Sequence, residues 1–175
     1  MTIDTRPNAN IILSDNPFAD VVDNIVKILK RDLRDEYDSN SNLKYIRRLT
    51  DVLDDDVILI PKPPCITVSF MDWEEEITTI GQTNQSFVYK IMLDIYYYHC
   101  EAKNTIRDKE IRDALWEISR VLRRNSDLYG LSSMGALIKG GSVIYKKRNN
   151  ALYQGGLIRL QVPLKGKERR GTTGA

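Results

Sequence analysis

The sequence is poor in the residue types that build metal and redox centres. It has one histidine, His99, and two cysteines, Cys65 and Cys100, among its 175 residues. No Cys-x-x-Cys or His-x-x-x-His spacing occurs, so the usual ligand sets for zinc and transition metals cannot be assembled. We therefore expect no metal site.

Long apolar runs and glycine-rich phosphate-binding motifs are also missing. The longest apolar stretches, such as residues 57–60, are far shorter than the roughly 20 residues of a bilayer-spanning helix. Residues 1–10 lack the apolar core of a signal peptide. Neither Gly-x-Gly-x-x-Gly nor Gly-x-x-x-x-Gly-Lys-Ser/Thr occurs. The sequence predicts a protein that is made in the cytoplasm, has no membrane partner and binds no cofactor.

Residue pairs suited to catalysis are equally scarce. A serine or cysteine nucleophile needs a neighbouring base, and His99 ends the apolar face of a predicted strand, where a packed or edge role is more common. Asp72 and residues 74–76 could supply an acid and a base, but carboxylates crowded in a polar stretch usually form a solvated surface. Asp94 and Glu101 resemble part of a magnesium nuclease, yet they lie on or beside one strand and cannot face each other. We interpret the chain as non-enzymatic.

Two amphipathic helices are predicted. Asn16-Pro17 is a helix-start signal, and apolar residues follow it at helical spacing, so the first helix covers about residues 17–36. A cap at residue 104 or 105 begins the second helix, which has a continuous apolar stripe and ends near Asn125.

Four strands are predicted from alternating stretches bounded by turn residues, at about residues 66–70, 87–99, 136–145 and 152–162. The odd positions of the second strand are the more apolar, so we expect this face to pack inward. Residues 71–85 form either a polar connection or a protruding hairpin. Residues 43–49 form either a short helix or an irregular turn.

These segments predict an α+β fold, with a mixed, mainly antiparallel sheet of about four strands, two amphipathic helices packed on it, a hairpin and a flexible tail. The predicted boundaries are a flexible N-terminal segment at residues 1–15, a single domain at residues 16–164 and a flexible basic tail at residues 165–175. Gly140-Gly141 and Gly155-Gly156 interrupt the last two strands, which indicates β-bulges or close backbone approach.

Charge is divided unevenly along the chain. Residues 1–119 carry 14 Lys/Arg and 22 Asp/Glu, a sum of −8, whereas residues 120–175 carry 12 and 2, a sum of +10. This asymmetry suggests either a polyanionic partner for the C-terminal part or subunits whose acidic and basic faces meet.

Three charged groups are candidate contact sites, namely Asp72, Glu74, Glu75 and Glu76; Lys146, Lys147 and Arg148; and Lys165, Lys167, Arg169 and Arg170. We interpret the first two groups as opposed surfaces of neighbouring subunits, an acidic segment against a basic hairpin tip. The third group, in the predicted tail, is a candidate for contact with a DNA channel or another partner.

The C-terminal third carries a resemblance to a known family. Its residues 121–131 read Val-Leu-Arg-Arg-Asn-Ser-Asp-Leu-Tyr-Gly-Leu, and two glycine-interrupted strands follow. This pattern resembles the tail-terminator and neck proteins of tailed bacteriophages, in which a helix commonly ends in an Asn-x-x-Leu-x-Gly turn, here Asn125, Leu128 and Gly130. The amphipathic first helix and the proline-introduced strand agree with it, so the resemblance spans roughly residues 17–164.

The resemblance implies a structural protein of the virion neck. Such a subunit forms a homo-hexameric ring that ends tail-tube growth and joins the tail to the head. Its implied partners are other copies of itself, the tail-tube protein and a head-closure or connector protein, with DNA passing through the ring. The polar stretch at residues 38–56 and the basic C-terminus depart from the family pattern.

A sequence-independent DNA-binding accessory protein is the alternative hypothesis. The basic hairpin and tail could neutralise phosphates, and residues 96–98, three tyrosines, could stack on bases. The tyrosines alternate between the two faces of a strand, however, and no helix-turn-helix, zinc-finger or RNA-recognition signature accompanies them.

Overall fold

The computed structural model describes residues 16–39, 51–54, 63–80, 84–101, 108–148 and 151–169. Its helices and strands, in chain order, are α1 (Pro17–Ser39), β1 (Val52–Asp54), β2 (Cys65–Ile80), β3 (Asn84–Glu101), α2 (Asp108–Arg124), β4 (Leu137–Arg148) and β5 (Ala151–Arg169). Two helices and one mixed sheet confirm the predicted α+β class. Neither of these helices is long and apolar enough to cross a membrane.

The sheet has the strand order β1-β2-β3-β5-β4. β1 runs parallel to β2, while β2–β3, β3–β5 and β4–β5 are antiparallel pairs. The described residues form a sheet of five strands, where about four were predicted. The additional strand is β1, whose three residues are too few to show an alternating pattern. The predicted alternatives for residues 43–49 lie outside the described residues.

α1 begins where the sequence predicts. The Oδ1 atom of Asn16 accepts a hydrogen bond from the backbone N–H of Ala19 at 3.3 Å, which is the geometry of an N-cap. The helix continues to Ser39, beyond the predicted end near residue 36. Its apolar stripe is buried in the core and comprises Val21, Val22, Ile25, Ile28, Leu29 and Leu33.

β3 is the central strand, and its odd positions face the core as predicted. The most deeply buried of them are Ile91, Leu93, Ile95 and Tyr97, each at most 1% exposed. Asp94 and Tyr98, on the other side of the strand, are also buried. Because a one-residue slip would exchange the two faces, this pattern specifies the pairing of β3 with both of its neighbours.

β2 and β3 form a long hairpin. β2 continues to Ile80 and β3 starts at Asn84, so the hairpin is the correct alternative for the stretch that follows residue 70. Register shifts at residues 71 and 78 interrupt the pairing. Since β1 pairs only with residues 66–68, the outer half of β2 has no neighbour on its other edge in the described part of the chain.

The two glycine pairs mark a close approach and a bulge, as the sequence predicts. A Cβ atom on Gly155 would lie 1.9 Å from the carbonyl oxygen of Tyr97 on β3, and one on Gly156 would lie 2.5 Å from the Leu115 side chain of α2. Close approach of backbone and helix therefore requires glycine at both positions. The register of β4 shifts next to Gly140, which confirms the predicted bulge.

β5 continues past the predicted end of the domain. Residues 165–169 pair with β3 in regular register, ending at the pair Arg169 and Asn84. The prediction of a flexible tail beginning at residue 165 is therefore wrong for these five residues. Their polar character indicated an unpacked segment, but backbone pairing with β3 needs no apolar side chains. Residues 1–15 and 170–175 lie outside the described residues.

The turn after α2 connects α2 to α1 through side-chain hydrogen bonds. The Nδ2 group of Asn125 donates to the carbonyl oxygen of Val121 at 3.0 Å and to Oδ2 of Asp32 on α1 at 2.7 Å. Leu128 is fully buried with a φ of 51°, and its carbonyl oxygen accepts a hydrogen bond from Asn24 Nδ2 at 3.2 Å. A left-handed backbone at leucine is uncommon, and here burial and this bond hold it in place.

Replacing Gly155 with alanine should destabilise the fold strongly. The new Cβ would overlap the Tyr97 backbone, which cannot move without disturbing the β3–β5 pairing. We expect G155A to lower the free energy of unfolding in urea by about 1–3 kcal/mol or more. G140A is the matched control because a Cβ there meets nothing within 4 Å, and it should change stability by less than about 0.5 kcal/mol. Equal effects of the two substitutions would contradict the close approach.

Asp32→Asn should destabilise the protein in a pH-dependent way. Hydrogen bonds from Arg31 and Asn125 lower the pKa of the Asp32 carboxyl group below its usual value. Its carboxylate therefore stabilises the fold above the unfolded-state pKa of about 3.9, and this contribution is lost as the pH falls through the folded-state pKa. We expect D32N to cost about 1 kcal/mol at pH 7, measured by urea unfolding.

The difference between the wild type and D32N should shrink below about pH 4, as Asp32 becomes protonated in the wild type. Asp113→Asn, which removes an exposed carboxylate from α2, is the matched control and should have little effect at either pH. A D32N difference that stays constant from pH 7 to pH 3 would refute the role of the Asp32 carboxylate in joining the helices.

Candidate assembly surfaces

The acidic segment, residues 70–77 on the outer half of β2, is exposed along its whole length. It contains the four predicted contact residues Asp72, Glu74, Glu75 and Glu76. Large apolar side chains lie in the same stretch as these acids and are 40–53% exposed, namely Phe70, Met71, Trp73 and Ile77. A contiguous group of such side chains on a strand with an open edge is typical of an interaction surface.

An aromatic cluster attaches the acidic segment to α1. The ring of Phe18 lies 5.5 Å from Phe70, 5.4 Å from Trp73 and 5.8 Å from Tyr89, measured between ring centroids. Trp73 and Tyr89 meet edge to face at 5.5 Å. Packing of this kind orders large side chains that remain partly exposed. The Phe70 and Trp73 side chains are therefore held in place within the chain itself.

One of the four acids already has a partner in the same chain. Glu76 Oε2 lies 2.7 Å from Lys90 Nζ on β3. The Lys90 ammonium group lowers the pKa of Glu76, and Glu76 in turn raises the pKa of Lys90. Both groups are exposed, so this ion pair contributes little to stability. Asp72, Glu74 and Glu75 carry most of the negative charge that the segment can offer to another molecule.

The basic end of β4 consists of Lys146, Lys147 and Arg148. These residues pair with the start of β5, so they close the strand and do not form the turn, contrary to the predicted hairpin tip. The hairpin itself is confirmed. Lys147 is exposed, as are the neighbouring Tyr145 at 61% and Leu152 at 46%. This end of the sheet thus combines positive charge with apolar surface.

The predicted C-terminal contact residues fall at the other end of the sheet. Lys165 is exposed on β5 and pairs with Val88, while Lys167 and Arg169 follow at alternate positions of the same strand. Arg170 lies outside the described residues. Val88 also pairs with Glu76 on β2, so the sheet brings the start of this basic group and the acidic segment to the two sides of β3.

The acidic segment and the basic end of β4 are far apart within one chain. They occupy opposite ends of the sheet and are separated by β3 and β5. The β3 partner of Glu74 pairs with Pro163 on β5, whereas Lys146 pairs with Tyr153, ten residues earlier on β5. At about 3.3 Å per residue, the two groups lie about 33 Å apart along the strands. Any contact between them is therefore a contact between two copies of the chain.

His99 and Cys65, the histidine and the cysteine that the structure describes in full, have defined surroundings. The ring of His99 is held on both sides, since Nδ1 lies 2.8 Å from the Tyr97 hydroxyl and Nε2 lies 3.5 Å from Glu110. Burial, together with the Asp51 carboxylate, raises the pKa of the Cys65 thiol to about 12, so it is not a thiolate at neutral pH. Within the described ranges, no three His, Cys, Asp or Glu side chains are placed to hold a metal ion.

Sequence reasoning singled out charges and missed the exposed apolar side chains beside them. Met71, Trp73 and Ile77 fall in the stretch for which the sequence predicts a polar connection or a protruding hairpin, and Trp116 on α2, which is 57% exposed, is not among the predicted contact residues. A usable signal was present, because Trp116 falls outside the apolar stripe of α2 and Trp73 lies between acidic residues. Large side chains in such positions favour interaction surfaces.

Comparison with known proteins adds no relative to this description. No protein-family model and no curated protein matches the chain.

Proposed function

We propose that the chain is a structural subunit of the neck of a tailed-bacteriophage virion, a tail terminator or a related neck protein. Six copies form a ring that ends growth of the tail tube and joins the tail to the head. The partners are other copies of the chain, the tail-tube protein and a head-closure or connector protein. The protein catalyses no reaction and has no cofactor.

The observation that carries this proposal is the pair of unlike surfaces at opposite ends of one sheet. The acidic segment and the basic end of β4 both combine charge with exposed apolar side chains, and their charges are opposite. Two different complementary surfaces favour head-to-tail association, which produces a ring when the rotation between subunits closes. A two-fold dimer would instead use the same surface on both copies.

The turn that carries the family resemblance also supports the proposal. Asn125, Leu128 and Gly130 act together as a junction, since Asn125 binds α1, Leu128 is buried and Gly130 has a φ of 83°. This role explains why a helix followed by a strand pair would keep an Asn-x-x-Leu-x-Gly pattern. The turn therefore supports a fold shared with that family, and it supports a shared position in the virion less directly.

DNA contact is a second candidate function, favoured by one observation. Lys165, Lys167 and Arg169 occupy alternate positions at the end of β5, which gives a regular row of positive residues. A row of this kind suits weak, sequence-independent contact with phosphates. Glu76 and its acidic neighbours lie two strands away and oppose such contact.

Charge reversal at the basic end of β4 should weaken self-association. A K146E/K147E/R148E variant places like charges opposite the acidic segment of the next subunit, which costs several kcal/mol across an interface. We expect wild-type protein to have a light-scattering mass six times that of one chain, and the variant to have the mass of one chain at the same concentration.

Reversing the partner surface provides the control for misfolding. An E74K/E75K variant should also be monomeric alone, whereas an equimolar mixture of the two variants should form rings in which the variants alternate, because both contacts between unlike variants join opposite charges. A mixture that remains monomeric would contradict pairing of these surfaces. Unfolding curves for each variant should match those of the wild type, since Lys147, Glu74 and Glu75 are exposed and surface substitutions change stability little.

Binding to a short DNA duplex tests the second candidate. If Lys165, Lys167 and Arg169 contact phosphates, fluorescence anisotropy should show binding at 20 mM salt that is lost by 200 mM, with a log–log slope near −0.9 for each phosphate contacted. A K165E/K167E variant should reduce that slope by about 2. No binding of the wild type at low salt would remove this candidate and leave the ring proposal unaffected.

A further inference from the structure

An open groove runs between α2 and β4, at the edge of the sheet that β4 forms. Its volume is about 390 Å³. Its lining includes Arg112, Trp116 and Arg123 from α2, Ile138 and Lys139 from β4, and Ile158 from β5. We refer to this feature as the helix–strand groove.

The floor and one wall of the groove are apolar. Leu115 and Ile138 are partly buried and pack on the core, and Ile158 belongs to it. Trp116 remains 57% exposed, with the Arg123 guanidinium 5.3 Å from its ring centroid. The β4 side of the groove is open at the bulge, since Gly140 has no side chain and a Cβ there would meet nothing within 4 Å. A cation stacked on an exposed tryptophan presents both charge and apolar area to a ligand.

The rim of the groove is positively charged. Arg112, Arg123 and Lys139 are all exposed, and no described residue that lines the groove is acidic. A ligand that fits must bring negative charge to the rim and apolar side chains to the floor. A nucleic-acid backbone supplies the charge but leaves the aliphatic floor uncovered. An acidic protein segment with large apolar side chains satisfies both requirements.

We propose that the helix–strand groove binds the acidic segment of a second copy of this chain. That segment carries the chemistry the groove requires, since exposed Met71, Trp73 and Ile77 lie in the same stretch of β2 as Asp72, Glu74 and Glu75. Asp72 and Glu74 lie on one face of β2 and Glu75 lies on the other, so in this contact they meet cations on both sides of the groove, from α2 and from β4. The apolar side chains cover Trp116 and its neighbours, which accounts for exposed tryptophans on both surfaces.

The contact has to be intermolecular. The acidic segment lies on β2 and the groove borders β4, and β3 and β5 separate these two strands in the sheet. The β2 side of one copy therefore meets the β4 side of the next, which is a head-to-tail arrangement. This inference rests on the proposed self-assembly and identifies the surface that receives the acidic segment. In this arrangement the acidic segment of one copy makes its main contact in the groove of the next copy, and the basic end of β4 makes a second contact beside it.

Cross-linking of the native chain tests the contact directly. A carbodiimide joins a lysine to a carboxylate in direct contact, and mixing ¹⁴N- and ¹⁵N-labelled chains identifies products that link two copies. We expect mass spectrometry to find Lys139 linked to Asp72, Glu74 or Glu75 across copies. Links from Lys146 or Lys147 to these acids, with none from Lys139, would overturn the assignment to the groove and leave the ring proposal standing.

Single substitutions in the groove provide the quantitative test. R112E and K139E should each weaken self-association at least about tenfold, because each places a like charge beside the docked carboxylates. K109E reverses an exposed charge on the same helix outside the groove and is the matched control, expected to associate as the wild type does. W116A should weaken association by a similar factor without changing its salt dependence, since it removes apolar contact only.

The outcomes separate the two proposals. Normal association of R112E, K139E and W116A, with hexamers still present, would refute the groove and keep the ring. Dimers or open chains cross-linked through Lys139, without rings, would support the groove and refute the hexamer. A wild type that stays monomeric and gives no cross-link between copies at any concentration would refute both.

Discussion

Burial of the helix-facing side of β3 sets the positions of both candidate contact surfaces. Ile91, Leu93, Ile95 and Tyr97 must face the helices, so β3 can pair with β2 and β5 in only one register. That register directs the β2–β3 hairpin toward one end of the sheet and the β4–β5 hairpin toward the other. The acidic segment and the basic end of β4 are thereby held about 33 Å apart along the strands. Their separation, and hence their availability to other copies, follows from core packing.

Much of the fold was predictable because its signals are local. Helical spacing, the Asn16 cap and the alternation in β3 each depend on residues close in sequence. β1 was missed because three residues carry no period, and the end of β5 was misjudged because backbone pairing needs no apolar side chains. The long hairpin was one of two alternatives, since polar residues suit an exposed edge as well as a loop.

The candidate sites were less predictable than the fold. Charged clusters are visible in the sequence, but which of them meet depends on strand order, which no local pattern encodes. The helix–strand groove combines residues from α2, β4 and β5, and its tryptophan was detectable only as an apolar residue off the buried stripe. Charge asymmetry along the chain, −8 against +10, nevertheless indicated acidic and basic surfaces that could meet. A chain with this distribution and two unlike surfaces is suited to head-to-tail association.

The central claim is that this chain closes into a ring that caps a tail tube. Negative-stain electron microscopy of the purified protein mixed with tail-tube particles tests it most directly. The account predicts sixfold rings seated on the ends of the tubes. Tube ends that stay bare, with the protein present only as monomers at the same concentration, would contradict it.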